Sequence, residues 1–196
     1  MSERTAKQQR KTKETDIEVT IDLDGCGEYS IDTGIGFFDH MLSGFARHGF
    51  FDLTLKCKGD LFVDCHHTIE DCGIALGEAI KQALGDKAGI VRFGSSLLPM
   101  DESLIRCVID LSGRPYLVFN EEFKNDRVGD FDTEMVKEFF YAVSYSAMMT
   151  LHIDELHGEN SHHVIEATFK AFGRALKEAV SKDEKIKGVL STKGSL

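Results

Sequence analysis

Residues 16–23 alternate strictly, with Ile17, Val19, Ile21 and Leu23 on one side and Asp16, Glu18, Thr20 and Asp22 on the other. A period of two predicts a half-buried antiparallel strand. Asp24-Gly25-Cys26-Gly27 predicts a turn, from which residues 28–32 return as a second strand. Thr33-Gly34-Ile35-Gly36 then opens a helix over about residues 37–47, with Phe38, Met41, Leu42 and Phe45 inward. Residues 53–57 and 61–63 predict another hairpin around Lys58-Gly59-Asp60. A helix follows, carrying Ile69, Gly73, Leu76 and Ile80 on one face and ending near Gly85.

The second half repeats this order. Residues 105–111 alternate, Ser112-Gly113-Arg114-Pro115 turns the chain, and residues 116–119 return. An amphipathic helix over about residues 133–149 precedes a short strand at 150–153. The last helix carries Ile165, Phe169, Phe172 and Leu176 inward. Ile21-Asp22-Leu23-Asp24-Gly25 and Ile109-Asp110-Leu111-Ser112-Gly113 are visibly alike. The fold predicted is α+β and internally duplicated, two tandem β-β-α-β-β-α-type halves whose antiparallel sheets are covered on one face by helices. The halves span residues 13–89 and 90–182, between a flexible tail at 1–12 and a C-terminal tail at 183–196. Arg4, Lys7, Arg10, Lys11 and Lys13 have no apolar stretch after them, so residues 1–13 read as a solvated tail and not as a secretory signal.

The chemistry lies where each half's last helix begins. Asp64-Cys65-His66-His67-Thr68-Ile69-Glu70-Asp71 returns as Asn160-Ser161-His162-His163-Val164-Ile165-Glu166-Ala167, 96 residues later (162−66). On a helix, positions four apart share a face, so His66 with Glu70, and His162 with Glu166, can grip one ion together. The neighbouring His67 and His163 are turned away by about 100°. If the copies face each other about a pseudo-twofold axis, each spare histidine reaches the other copy's ion. One metal then takes His66, Glu70 and His163, and the other His162, Glu166 and His67. The helix before each copy offers one more ligand: His40 beside His162, Glu166 and His67, and Glu138 beside His66, Glu70 and His163. Imidazole plus carboxylate suits manganese, iron or zinc over calcium. Cys65 and Cys72 flank the first copy, but Ser161 and Thr168 stand at the matching places of the second, which argues against a required thiolate. His48, His152 and His157 have no repeat partner.

Composition narrows the classes. A formal charge of −10 argues against a general nucleic-acid or anionic-membrane binder. No stretch approaches the roughly 18 apolar residues that span a bilayer. Five cysteines without CxxC spacing make a disulfide framework unexpected and point to a reducing cytoplasm.

The chain resembles the monofunctional form of the imidazoleglycerol-phosphate dehydratases, lyases of histidine biosynthesis. The resemblance runs over roughly residues 10–194. It rests on Phe37-Phe38-Asp39-His40-Met41-Leu42, the two His-His-x-x-Glu strings, Asp110-Leu111-Ser112-Gly113-Arg114-Pro115-Tyr116 and Ser191-Thr192-Lys193-Gly194. It implies two manganese ions (Mn2+) per active site, on the ligands above, although many relatives carry histidine where this chain has Glu138. It implies dehydration of D-erythro-1-(imidazol-4-yl)glycerol 3-phosphate to 3-(imidazol-4-yl)-2-oxopropyl phosphate. The ring would bridge the metals as an imidazolate, and loss of the neighbouring hydroxyl would give a diazafulvene. By the same similarity the phosphate meets Arg92, Arg114, Ser191 and Lys193, and Lys170, one turn beyond Glu166, faces substrate. His40 lies beside the substrate, and Glu14 touches its glycerol hydroxyls. Glu166 is the expected proton-transferring base, and Glu14 orients or protonates the departing hydroxyl. The family also implies a homo-oligomer, trimers packed into a 24-subunit shell. On the residues alone, two other classes stay open. A two-metal phosphate-ester hydrolase would release inorganic phosphate, and a metal-dependent assembly module would bind manganese without turnover.

Overall fold

A computed structural model describes residues 4–196; the first three residues of the expected N-terminal tail lie outside it. The first half runs β1 (Thr5–Lys11), β2 (Thr15–Asp22), β3 (Tyr29–Asp32), α1 (Gly36–Gly49), β4 (Asp52–Gly59) and α2 (His66–Leu84). The second runs β5 (Phe93–Met100), β6 (Ser103–Asp110), β7 (Tyr116–Asn120), the small hairpin β8 (Arg127–Val128) and β9 (Phe131–Asp132), α3 (Met135–Ala147), β10 (Thr150–His157) and α4 (Ser161–Val180). The sheets have matching orders, β1-β2-β4-β3 and β5-β6-β10-β7. The duplication is therefore structural as well as sequential.

Helices α1 and α2 cover one face of the first sheet, and α3 and α4 cover one face of the second. The helix pairs then pack across the halves, α1 on α4 and α2 on α3. Glycines permit that approach. A Cβ on Gly77 of α2 would lie 2.8 Å from the carbonyl oxygen of Val143, and one on Gly173 of α4 would lie 2.5 Å from that of Phe45. These two glycines are again 96 residues apart (173−77). Around them Phe38 of α1, Phe139 and Phe140 of α3 and Phe169 and Phe172 of α4 share one aromatic core. Phe139 and Phe169 stack at 5.1 Å, and Phe38 meets Phe139 edge-on at 5.3 Å.

Four expectations need correction. The sheets are mixed: β3 runs parallel to β4, and β7 parallel to β10. A 14-residue helix, α1, separates β3 from β4, which is long enough for the crossover that a parallel pair requires. Consequently β4 separates β2 from β3, and β10 separates β6 from β7; neither predicted hairpin forms. Residues 61–63 are turn and not strand, with Phe62 91% exposed. Finally, residues 5–11, expected as a frayed tail, form the edge strand β1, paired with β2 over its whole length.

Strand β1 escaped notice because its inward face is largely polar: Gln8 Nε2 donates to Gln82 Oε1 of α2 at 2.7 Å, and Arg10 reaches Asp71 on the same helix. Its counterpart β5 escaped for a different reason. Its inward Gly94 and Ser96 are small, and a Cβ on Gly94 would lie 1.9 Å from the Ala175 carbonyl oxygen of α4.

One acid in this frame is pushed toward its neutral form by burial. The Thr168 hydroxyl lies 2.5 Å from Glu121 Oε1 and 2.8 Å from the Val164 carbonyl oxygen. A hydroxyl has one hydrogen, so the Thr168 donor is divided between Glu121 Oε1 and the Val164 carbonyl, while Glu121 Oε2 is buried without a partner. Burial pushes the Glu121 carboxyl up to about 8, with Glu155 and Asp154 adding to the shift against the Thr168 bond.

Two outcomes follow from this packing. Gly173→Ala is expected to cost about 1–3 kcal/mol in thermal or urea denaturation, whereas Gly36→Ala, where a methyl meets open space, should leave stability nearly unchanged. For Glu121, the raised folded-state pKa means stability is full below the unfolded value and is lost as pH rises toward about 8. Glu121→Gln should match the parent at pH 4 and exceed it by roughly 3–6 kcal/mol at pH 8.5. Equal slopes of stability against pH in the two proteins would refute a neutral Glu121.

Candidate active site and metal centre

Two helix N-termini from opposite halves build the centre. Asn160 caps α4, its Oδ1 accepting from the His162 backbone N–H at 2.9 Å. Asp64, 96 residues earlier (160−64), does the same for His66 at 2.8 Å. On α1, Asp39 Oδ1 accepts from Thr33 N at 2.9 Å and Thr33 Oγ1 at 2.5 Å, which fixes the helix start just before His40. Because α1 packs on α4, His40 arrives beside the second His-His-x-x-Glu string.

There, Glu166 Oε2 lies 3.1 Å from His162 Nε2 and 3.4 Å from His40 Nε2. Its other oxygen, Oε1, accepts from Lys170 Nζ at 2.7 Å. Burial pushes the Glu166 carboxyl up, but the Lys170 bond and charge, the charge of His40 and the His162 bond outweigh it, and the group sits below the usual carboxylate range. The ligand atoms of His40, His162 and Glu166 lie within 4.8 Å of one another, the single such group of three among the described residues. Two imidazole nitrogens and one carboxylate oxygen facing a common point form a donor set that fits a borderline transition-metal ion.

The remaining expected ligands are placed but not gathered. His67 and His163 point away from their helices' own glutamates, as the helical turn requires, and each meets other carboxylates. Asp60 holds His67 Nδ1, its Oδ2 at 3.1 Å, while His67 Nε2 lies 3.9 Å from Glu14 Oε1. Glu102 Oε2 is 2.8 Å from His163 Nδ1, and Asp101 Oδ2 is 3.8 Å from Nε2. Those partners raise both imidazoles above their ordinary pKa, mainly through the Asp60 and Glu102 bonds. Glu102 itself is lowered to about 2, chiefly by the His163 bond and then by the Asn160 amide. A carboxylate on Nδ1 fixes the proton there and leaves the lone pair of Nε2 open. His66 Nε2 stands 4.0 Å from Glu70 Oε2 on α2, and Glu138 occupies the first turn of α3, which packs on α2. Within one chain, however, His67 does not join His40, His162 and Glu166. Nor do His66, Glu70, His163 and Glu138 close to coordinating range among the described residues.

The expected phosphate residues do converge. Arg92, Arg114, Ser191 and Lys193 line one cavity against the C-terminal segment, where Lys185 and Lys187 add further charge. Gly89 donates its N–H to Gly188 at 2.8 Å and accepts from Asp183 at 2.9 Å, which ties that segment to the body. Arg92 differs from the expectation of a free anion grip. Its Nε and Nη2 donate to Asp110 at 2.7 and 3.1 Å, and its Nη1 donates to the Leu190 carbonyl at 2.8 Å. The guanidinium of Arg114 and the ammonium of Lys193 make no hydrogen bond or ion pair among the described residues, so of the expected phosphate residues those two are the open cations.

Sequence reasoning missed Asp60, Asp101 and Glu102. In the sequence Asp60 reads only as part of a turn. The signal for Glu102 was the hairpin duplication, invisible without β1 and β5.

Over residues 33–176 the chain matches the family model described as imidazoleglycerol-phosphate dehydratase. A protein of that name from Lachnoclostridium phytofermentans is 63% identical over 193 residues, 98% of each chain. One from Clostridium botulinum is 59% identical over the full length of both. Among solved structures, imidazoleglycerol-phosphate dehydratase from Staphylococcus aureus is similar with a TM-score of 0.83 and 43% identity, over 91% of this chain and 99% of that one. The Pyrococcus furiosus enzyme is similar with a TM-score of 0.83 and 38% identity, over 96% and 100%. With its duplicated sheets, its His-His-x-x-Glu pair and identities of this size, the chain belongs to the imidazoleglycerol-phosphate dehydratase family, hydro-lyases of the histidine-biosynthesis dehydration step.

Proposed function

We propose that the protein converts D-erythro-1-(imidazol-4-yl)glycerol 3-phosphate to 3-(imidazol-4-yl)-2-oxopropyl phosphate through the ring-conjugated intermediate that the resemblance implies. The observation that carries this reading is the divided Glu166 carboxylate, one oxygen on Lys170 and the other facing His40 and His162. In this reading His40, His162, Glu166 and His67 hold one manganese ion, and His66, Glu70, His163 and Glu138 hold a second. Neither set closes in one chain, which favours completion between copies in a homo-oligomer, a 24-subunit shell of trimers. When bound, two manganese ions place positive charge beside the substrate's imidazole and favour its deprotonated, electron-donating form.

The chain's own groups do the rest. Lys170 keeps Glu166 ionised, so the carboxylate can take the carbon-bound proton once the neighbouring C–O bond has broken. Glu14, half-exposed on the β1–β2 tip, orients or protonates the departing hydroxyl so that it leaves as water. The resulting enol then relaxes to the ketone. Arg114, Lys193 and Ser191 hold the phosphate, while Arg92 shapes that cavity through Asp110 and Leu190. The protein acts in the cytoplasm in this reading, and its partners are a small phosphorylated substrate and further copies of itself.

The test is a chelated protein given substrate with and without manganese, following ketone and free phosphate together. Ketone that depends on manganese and appears without free phosphate is the expected result. Free phosphate would instead identify a hydrolase, and two bound metals without either product would leave only an assembly module. Glu166→Gln should lower kcat by about 10²–10⁴-fold. Full turnover in that variant, with metal content measured alongside, would remove the proton-transfer role.

A further inference from the structure

The two hairpin tips are duplicates that have taken different partners. Strands β1–β2 and β5–β6 keep one register at an offset of 88 residues (103−15 for the first residues of β6 and β2). Glu14 therefore corresponds to Glu102, Thr15 to Ser103 and Arg10 to Leu98. Helices α2 and α4 correspond at 96, which pairs His67 with His163 and Asp71 with Ala167.

In the second half, Glu102 anchors its own tip. Its Oε2 sits on His163 Nδ1 at 2.8 Å, while Oε1 accepts from Asn160 N at 2.9 Å, Glu159 N at 3.3 Å and Ser103 Oγ at 3.2 Å. Its counterpart Glu14 makes no such contact, and its Oε1 stays 3.9 Å from His67 Nε2. Asp60 has taken the Nδ1 of His67 instead, at the place where the second half has Gly158 (158−60 is 98, the β4-to-β10 offset).

The first tip is anchored from elsewhere. Buried Asp71 accepts through Oδ1 from Arg10 Nε and Nη2 at 2.9 and 2.8 Å, and through Oδ2 from Thr15 Oγ1 at 2.5 Å. With its hydrogen committed to Asp71, Thr15 Oγ1 is left to accept from Thr12 Oγ1 at 3.2 Å. Thr12 Oγ1 in turn accepts from the backbone N–H groups of Glu14 and Thr15, both at 3.0 Å. An unbroken hydrogen-bonded line thus runs from α2 to the Glu14 backbone. Leu98 and Ala167 cannot form its counterpart.

We propose that Asp71 is a positioning residue: through Arg10, Thr15 and Thr12 it holds the β1–β2 tip so that Glu14 stays free and aimed at the His67 ring. This rests on the role given to Glu14 above. The Asp60 and Asp71 contacts together release Glu14 from the anchoring task that Glu102 still performs.

Two measurements on the metal-loaded enzyme decide it. By hydrogen exchange, Asp71→Asn and Thr15→Val should speed exchange at the Glu14 and Thr15 amides by about tenfold or more, while the ladder amides of β2 keep their protection. By kinetics, each should lower kcat by about 10–100-fold in the parent and by less than about twofold in a Glu14→Gln background, with metal content unchanged. Thr15→Val leaves the α2 string intact, which separates the clamp from any disturbance of Glu70. Unchanged exchange at the tip, or the same fractional loss of kcat in both backgrounds, would overturn the proposal. Full turnover by Glu14→Gln alone would overturn the role of Glu14 in catalysis, and tip exchange would still decide whether Asp71 orders the hairpin.

Discussion

The close contact of α1 with α4, and of α2 with α3, is the constraint on which the rest depends. Neither half gathers the expected ligands by itself, because the tightest helix pairs, α1 with α4 and α2 with α3, each draw one helix from either half. Gly173 and Gly77 set the separation at backbone contact, and Phe45 of α1, stacked on Phe172 of α4 at 5.3 Å, leaves that pair little room to slide. His40 meets His162 and Glu166 for that reason. A centre assembled across a duplication inherits its geometry from core packing, which is stiffer than any loop.

Charge then divides the work within the centre. Glu166 serves a cation on one oxygen and two imidazoles on the other, so a single carboxylate is both held ionised and aimed. The His67 and His163 imidazoles are oriented from behind, by Asp60 and Glu102. The open cations, Arg114 and Lys193, are left to the cavity beside the C-terminal segment.

What the sequence made legible, and what it hid, follows from where side-chain chemistry is periodic. Strands β2 and β6 alternate apolar and polar residues and were readable; so were the four helices, whose bounds shifted by only a few residues. His162 and Glu166 could be grouped from their helical spacing, and His40 joined them through the pseudo-twofold pairing that the duplication implies. Strands β1 and β5 were hidden because their inner faces carry Gln8, Arg10, Gly94 and Ser96, which satisfy the fold by hydrogen bonds or by absence of bulk. The parallel pairs were hidden because strand order is a property of the crossover through α1 and α3 and leaves no mark in local pattern. Asp60 and Glu102 were hidden because a turn carboxylate looks the same whether it faces water or a histidine.

The protonated Glu121 beneath α4 has a further consequence for the energetics of the whole chain. Near neutral pH the folded protein carries a proton at this carboxyl that the unfolded chain does not hold. Unfolding therefore hands a proton to the solvent, and a calorimeter records the buffer's heat of protonation along with the protein's own heat. In that sense the core is a small acid–base device: it takes up a proton when Thr168 closes over Glu121 and returns it when the helix comes away.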